Sequence, residues 1–294
     1  MIGTGMPLAA VMLAQKTTAP HLIIMFEAGS VAPTLVKLPI SVADSYTQTG
    51  AIMHSSMDEI MEACQRGMVD YTFLGGAQID MYGNINTSMI GTDYQHPKVR
   101  LPGSGGANDL ASLCWKTLVI TPHDKRRFVS KLDFLTTPGY LAGPGAREAA
   151  GLPRGSGPYK VITTLALIGY DSHTKQMRVE SLHPGVTKQD VVDNTSFEML
   201  FVEPLPVTLE PTNEELRVLR EGVDPQGLII GKKKVSDQVE LINLPHRLCS
   251  AALINSRFHD LLSAERLWHF YQVPLSEGLI LENNALNLQK AEKE

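Results

Sequence analysis

One carboxylate stands where an α/β protein would put a reactive group. Glu27 follows the apolar run His21-Leu22-Ile23-Ile24-Met25-Phe26 and precedes Ala28-Gly29. It therefore reads as the end of a buried strand entering a glycine turn, and ligands of open sheets sit outside the carboxyl ends of strands. Position alone leaves the alternative of a solvated turn residue. A reactive carboxylate would also need something to hold the negative charge that builds on its partner, and three glycine turns offer that. Gly75-Gly76-Ala77-Gln78-Ile79-Asp80 follows the strand expected at residues 70–74, Gly103-Ser104-Gly105-Gly106-Ala107-Asn108-Asp109 opens a helix, and Ala28-Gly29 follows Glu27 itself. Glycine there permits positive φ and close backbone approach, and free N–H groups at a helix start can hold an anion or a developing oxyanion. Glycine also punctuates every α/β domain, so each turn is a weak signal taken singly.

The elements that would position these residues alternate as in an α/β protein. Helices are expected over residues 6–16, with Pro7 in the first turn, over 55–66, and from the Gly103-to-Asp109 segment to about Trp115. Strands are expected at 21–26, 70–74 and 116–121. Residues 161–168 and 177–182 read as an antiparallel pair joined through Asp171-Ser172-His173-Thr174, with a short helix after them at 187–193. Thr212-Asn213-Glu214-Glu215 is a capping box that starts a helix to about Glu221. Between Pro138 and Pro158 the chain is rich in Gly and Pro and carries Arg147 and Arg154, a loop long enough to be functional or mobile. Gly3-Thr4-Gly5-Met6-Pro7 looks like a strand end and turn without its strand, so a preceding strand and helix are expected to be missing, leaving a gap in the sheet. We divide the chain into a domain over 1–234 and a helical extension over 235–294, with a helix-like stretch at 248–271.

Composition narrows the function classes. The chain has 294 residues, 43% hydrophobic and 19% charged, a net charge of -5 and a pI near 6.0, which is ordinary for a globular protein and argues against nucleic acid as the main partner. Cys64, Cys114 and Cys249 have no metal-type spacing, which suits a reducing cytoplasm and offers no zinc site. The longest apolar stretches fall short of the roughly 20 residues that a membrane span needs, and no basic segment precedes Leu8-Ala9-Ala10-Val11-Met12 as in a signal peptide. The expected location is the cytoplasm, without a membrane.

Taken in order, the motifs resemble the B (β) subunits of family I CoA-transferases, of the glutaconate CoA-transferase type. The matching pieces are Gly3-Thr4-Gly5-Met6-Pro7, Phe26-Glu27-Ala28-Gly29, Gly75-Gly76-Ala77-Gln78-Ile79-Asp80, Tyr82-Gly83-Asn84-Ile85-Asn86, Gly103-Ser104-Gly105-Gly106-Ala107-Asn108, His123-Asp124-Lys125-Arg126-Arg127-Phe128, Pro138-Gly139 and His183-Pro184-Gly185-Val186. The resemblance covers residues 1 to about 234. It implies a three-layer α/β/α fold with a mixed, mainly parallel sheet, of the type shared with sugar-phosphate isomerases, and an A (α) subunit as partner, often in an A2B2 heterotetramer. It implies no tightly bound cofactor, with a coenzyme A thioester as substrate and a small carboxylic or dicarboxylic acid as exchange partner. Glu27 would be the nucleophile, forming an acyl anhydride and then a glutamyl-CoA thioester by ping-pong covalent catalysis. Gly105 and Gly106 would supply the oxyanion and CoA contacts, with helix–strand packing as the plainer reading of that turn. Gln78 would hold the Glu27 carboxylate, or else satisfy turn backbone.

Lys125-Arg126-Arg127 can meet CoA phosphates or form a solvated turn, and His123 is read as structural. The chain departs from the family in Ala28, where Asn or Ser is frequent beside the nucleophile, and in Ser196, where glycine is usual. Residues 235–294 have no counterpart in the family. Relatives that keep the fold but decarboxylate or hydrolyse CoA thioesters give an alternative, as does a non-catalytic sensor or assembly subunit.

Overall fold

A computed structural model of the chain describes residues 1–231. The Lys232-Lys233-Lys234 run, Cys249 and the helix expected at 248–271 lie outside the described residues. Six strands form the central sheet: β1 (Tyr71–Leu74), β2 (Lys116–Ile120), β3 (Gly157–Ile162), β4 (Ala166–Tyr170), β5 (Met177–Leu182) and β6 (Leu200–Phe201), in the order β6-β5-β4-β3-β2-β1. The pairs β1–β2, β2–β3 and β5–β6 are parallel, while β3–β4 and β4–β5 are antiparallel.

Register sorts the side chains into two cores, because successive residues of a strand face opposite sides of a sheet. Phe73, Leu118, Ile162 and Leu167 face a core shared with helix α1 (Met6–Lys16) and with Leu219, Val223 and Ile230. Their neighbours Leu74, Val119, Val161, Ala166 and Ile168 face the other way, against Ile60 and Cys64 of α2 (Met57–Gln65) and Leu110 and Ala111 of α3 (Ala107–Leu113). Helices thus cover both faces, as the three-layer reading requires. Helix α1 is apolar all round, with seven consecutive buried residues from Leu8 to Ala14, as fits a helix enclosed by its own domain. Helix α2 is amphipathic. It starts at a capping box of Ser56 and Glu59 and buries only Ile60 and Cys64, one turn apart.

Two expected strands come out differently. Residues 21–26 form an extended segment outside the sheet, tied by single bonds: Ile2 N–H to the Met25 carbonyl (3.0 Å), Ala32 N–H to that of Ile24 (2.7 Å), and a lone bridge between Met25 and Val31. The chain reverses at Phe26, so the ladder has too few partners to propagate, and Ile23 is 64% exposed while Ile24 and Phe26 are buried. The run of six residues is one-sided, not a buried strand. Residues 161–168 are two strands joined by a tight turn: the Thr163 hydroxyl accepts from the N–H groups of Leu165 and Ala166, and Thr163 N–H returns to the Ala166 carbonyl. Threonine side chains bond locally in this way and break a strand where hydropathy alone would continue it. The capping box at Thr212 and Glu215 opens α6 (Asn213–Arg217; α4 and α5 being Ala146–Ala149 and Lys188–Asp193), which runs on as a π-helical turn, Val218–Val223.

Candidate active site

The turn that carries Glu27 is built around Gly29. Gly29 N–H bonds to the Phe26 carbonyl and Phe26 N–H to that of Ser30, each at 3.0 Å, which leaves Glu27 and Ala28 at the tip. Phe26 is fully buried and anchors the turn, and Glu27 is half-buried. Gly29 has φ +114°, and a Cβ there would collide with the Ser55 carbonyl oxygen. Backbone passes so close because Ser55 N–H bonds to the Gly29 carbonyl at 2.9 Å, so only glycine serves at this position. The approach also brings the start of α2 against the Glu27 turn.

The Gly105-Gly106 turn meets Glu27 from the other side. A Cβ on Gly106 would lie 2.8 Å from Glu27 Oε2 and 2.9 Å from Met61 Cε. The carboxylate therefore rests on the bare Cα of Gly106, with the methyl of Met61 beside it. Gly105 has φ +51°, which aims the chain into α3. Ser104 takes up the next two donors, its carbonyl accepting from Ala107 N–H (3.0 Å) and its hydroxyl from Asn108 N–H (3.2 Å). The N–H groups of Gly105 and Gly106 have no protein partner among the described residues. Helix α3 leads directly into β2, and Arg147 ties its last turn to Ser156 just before β3 begins; with the helix end at the amino end of these parallel strands, its start lies toward their carboxyl end, the place expected for a ligand. The site thus combines an acceptor carboxylate, spare backbone donors and an apolar wall.

Of the residues singled out in the sequence, the structure brings Glu27, Gly105 and Gly106 together and gives Gln78 other contacts. The Gln78 side chain is 7% exposed, and its amide is spent on loops: its oxygen accepts from Asn86 Nδ2 (2.8 Å) and Asp133 N–H (3.0 Å), while Nε2 donates to Asp133 Oδ2 (3.1 Å). It braces the glycine turn against residues 131–133, and no hydrogen bond joins it to Glu27 among the described residues. This is the plainer of the two readings, satisfaction of buried turn groups. Of the basic run, Arg127 is committed to Asp124 (3.0 Å) and the Gly76 carbonyl (3.1 Å), while Lys125 and Arg126 are exposed. Ser196 donates from its hydroxyl to the Lys125 carbonyl and from its N–H to that of Phe128, so it holds this loop as well.

His123 belongs to a closed network. Its ring nitrogens bond to the hydroxyls of Thr163 (3.1 Å) and Thr195 (3.0 Å), and the ring stacks on Phe128 at 4.0 Å. Burial pushes its pKa down to about 4, outweighing Asp124, so it is neutral at pH 7. His183 beside it bonds to the Thr208 hydroxyl and the Thr163 carbonyl.

Two side chains gain a meaning that the sequence hides, Met61 and Arg147. Met61 carries no polar signal. Arg147 looks like one more residue of a Gly/Pro-rich loop, yet it is 0% exposed. Its guanidinium donates to the carbonyls of Pro138 and Gly139, to the Ser156 hydroxyl, and to the carbonyls of Ala111 and Ser112 in the last turn of α3. A cation at a helix C-terminus is favourable, and this one pins the far end of the helix that starts beside Glu27.

These features match a known family. The family model for Coenzyme A transferase matches residues 1–194. The chain is 40% identical over 220 residues to the B subunit of 3-oxoadipate CoA-transferase from Pseudomonas knackmussii, covering 74% of this chain and 84% of the relative. It is 37% identical over 229 residues to the B subunit of glutaconate CoA-transferase from Acidaminococcus fermentans, covering 76% and 85%. The crystal structure of that glutaconate CoA-transferase superposes with a TM-score of 0.74 at 36% identity, over 79% of this chain and 90% of the other. More distantly, the chain is 32% identical over 227 residues to the cholesterol ring-cleaving hydrolase IpdB subunit of Rhodococcus jostii, covering 76% and 83%. The chain belongs to the coenzyme A transferase family. Within that family its relatives at 37–40% identity are B subunits of transferases.

Proposed function

We propose that this chain is the B subunit of a CoA-transferase that exchanges coenzyme A between two small carboxylic acids, at least one of them a dicarboxylic acid, with Glu27 as the covalent carrier. The observation that carries the reading is the seating of the Glu27 carboxylate on Gly106, beside the unspent amides of Gly105 and Gly106. A Glu27 oxygen adds to the thioester carbonyl of the acyl-CoA, and the tetrahedral oxyanion accepts hydrogen bonds from those two N–H groups. The C–S bond breaks, leaving an acyl–glutamyl anhydride and CoA thiolate. The thiolate attacks the glutamyl carbonyl, the acyl group leaves as a carboxylate, and Glu27 now carries CoA as a thioester. An incoming acid runs the same steps in reverse. Covalent capture splits one difficult exchange into easier ones, and preorganised N–H donors contribute to each.

The dicarboxylic reading is supported by the two named relatives, whose acids, 3-oxoadipate and glutaconate, are both dicarboxylates. Both relatives are B subunits by name, which supports an A subunit as partner; an A2B2 assembly working in the cytoplasm is part of the proposal through the family resemblance alone. The test is direct. The chain assembled with the A subunit from the adjacent reading frame is incubated with acyl-CoA and no acceptor, and then treated with borohydride or hydroxylamine. Modification at Glu27 that needs acyl-CoA is the expected result. Turnover with Glu27 unmodified in every sample would sink the assignment.

A further inference from the structure

Next to the carboxylate stands a side chain that does nothing for the fold's hydrogen bonding and packs only half-buried at the edge of the core that holds Ile60 and Cys64. Helix α2 buries Ile60 and Cys64 in the core. Met61 follows Ile60, so it turns about 100° away around the helix; it is half-buried, and its terminal methyl reaches Gly106 at the point where Glu27 Oε2 also arrives. Met57 lies one turn earlier on the same side and is 56% exposed. A ridge of two methionines thus runs from solvent to the carboxylate. Charges elsewhere on α2 are already engaged, Glu59 in the capping box and Glu62 with Arg66 at 2.8 Å.

A methyl is a poor neighbour for an ionised carboxylate if resting stability is all that counts, since it neither donates nor lets water donate. It is a good neighbour for an activated acyl group. Water in that place would add to the glutamyl thioester carbonyl, break the C–S bond, and yield free CoA thiol, the Glu27 carboxylate and a proton, wasting the adduct. An unbranched thioether also adapts to occupants of different shape, and this site receives an acyl-CoA, then CoA alone, then a second acid.

We infer that Met61 is a specificity-determining residue that holds water off the Glu27 adduct and so favours transfer over hydrolysis. This rests on the reading of Glu27 as the covalent carrier. Purified A–B enzyme carrying the parent sequence, Met61→Ala, Met61→Gln or Met61→Leu is compared for two rates: transfer to an acceptor acid, and release of free CoA thiol with no acceptor. Met61→Ala opens space and Met61→Gln keeps length but adds polarity, so either is expected to raise the hydrolysis-to-transfer ratio by roughly tenfold or more. Met61→Leu is expected to stay within about threefold of the parent, as apolar swaps of similar volume usually do. If the parent forms the Glu27 adduct but the ratio is unmoved in both Ala and Gln variants, the role of Met61 is overturned and Glu27 stands. If the parent forms no adduct, the Glu27 reading fails and this inference falls with it.

Discussion

Two polar clusters lie at the carboxyl end of the same sheet, and they differ in what is left over. Around His123, the donors and acceptors are spent internally: both ring nitrogens on threonine hydroxyls, His183 on Thr208 and the Thr163 carbonyl, and Ser181 on Thr208 at 2.7 Å. Around Glu27, the N–H groups of Gly105 and Gly106 go unspent among the described residues, and the carboxylate shares its seat on Gly106 with a methyl. A closed network rigidifies, because a fully satisfied buried cluster has one good arrangement. An open one keeps donors that it can offer. Hydrogen-bond accounting separates the two where residue type does not, since a histidine after a strand looks at least as catalytic as a glutamate.

Substitutions can test that contrast. The largest effect is expected at Glu27. Glu27→Ala should lower transfer by roughly 10^4-fold or more, as loss of a covalent nucleophile does, with little change in melting temperature. Glu27→Asp should leave a trace, since its carboxylate falls about one methylene short. Gly106→Ala comes next. Its φ of -79° and ψ of 0° suit any residue, and the atoms a methyl would meet are the mobile ends of Glu27 and Met61. The fold should therefore hold to within about 1 kcal/mol while the carboxylate is displaced and kcat drops roughly 10²-fold. A large loss of stability instead would make Gly106 a packing residue and blur the distinction between the two clusters.

The closed cluster should behave the other way round. His123→Ala removes a stacked ring and one hydrogen bond from each of two buried hydroxyls, Thr163 and Thr195, which keep their backbone partners, so it should cost about 2–4 kcal/mol by denaturant unfolding, chiefly from the cavity, while kcat of the folded enzyme stays within a few-fold. Acid should find the same weakness. His123 has its folded pKa depressed to about 4, against 6.5 for the free side chain, so the unfolded chain binds the proton first as pH falls. Its contribution is complete above about pH 6.5 and is lost progressively toward pH 4, on the order of 3 kcal/mol in all. Stability of the parent should slope downward through that window, and a His123→Gln variant should flatten the slope. An unchanged slope would remove His123 as its cause.

Much of this is legible in the residues. The order of strands and helices, the helix starts at Thr187 and Thr212, and the glycine turn at Gly105-Gly106 follow from local chemistry: glycine where φ is positive, threonine where a helix begins. The parts that are not legible depend on who the neighbours are. Residues 21–26 look like a buried strand by hydropathy, yet strand formation needs a continuous ladder, and that is decided by residues far along the chain. Gln78 sits in a glycine motif that the family resemblance ties to Glu27, but its amide is claimed by Asp133, 55 residues away. Met61 is silent in a sequence because an apolar residue on an amphipathic helix is the commonest thing a helix can show. The value of its methyl lies in what it stands against.

Arg147 gives the long Gly/Pro-rich loop a different character from the one its composition suggests. A single guanidinium gathers the loop at both ends, through Pro138 and Gly139 and through Ser156, and grips the final carbonyls of α3 in the same grasp. These acceptors replace the hydration shell that the buried charge gave up, and they do so jointly. The loop cannot slacken by degrees: releasing one strap leaves a charged group stranded in a dry interior, so loop, helix and the amides at the helix's far end hold or come apart as one body.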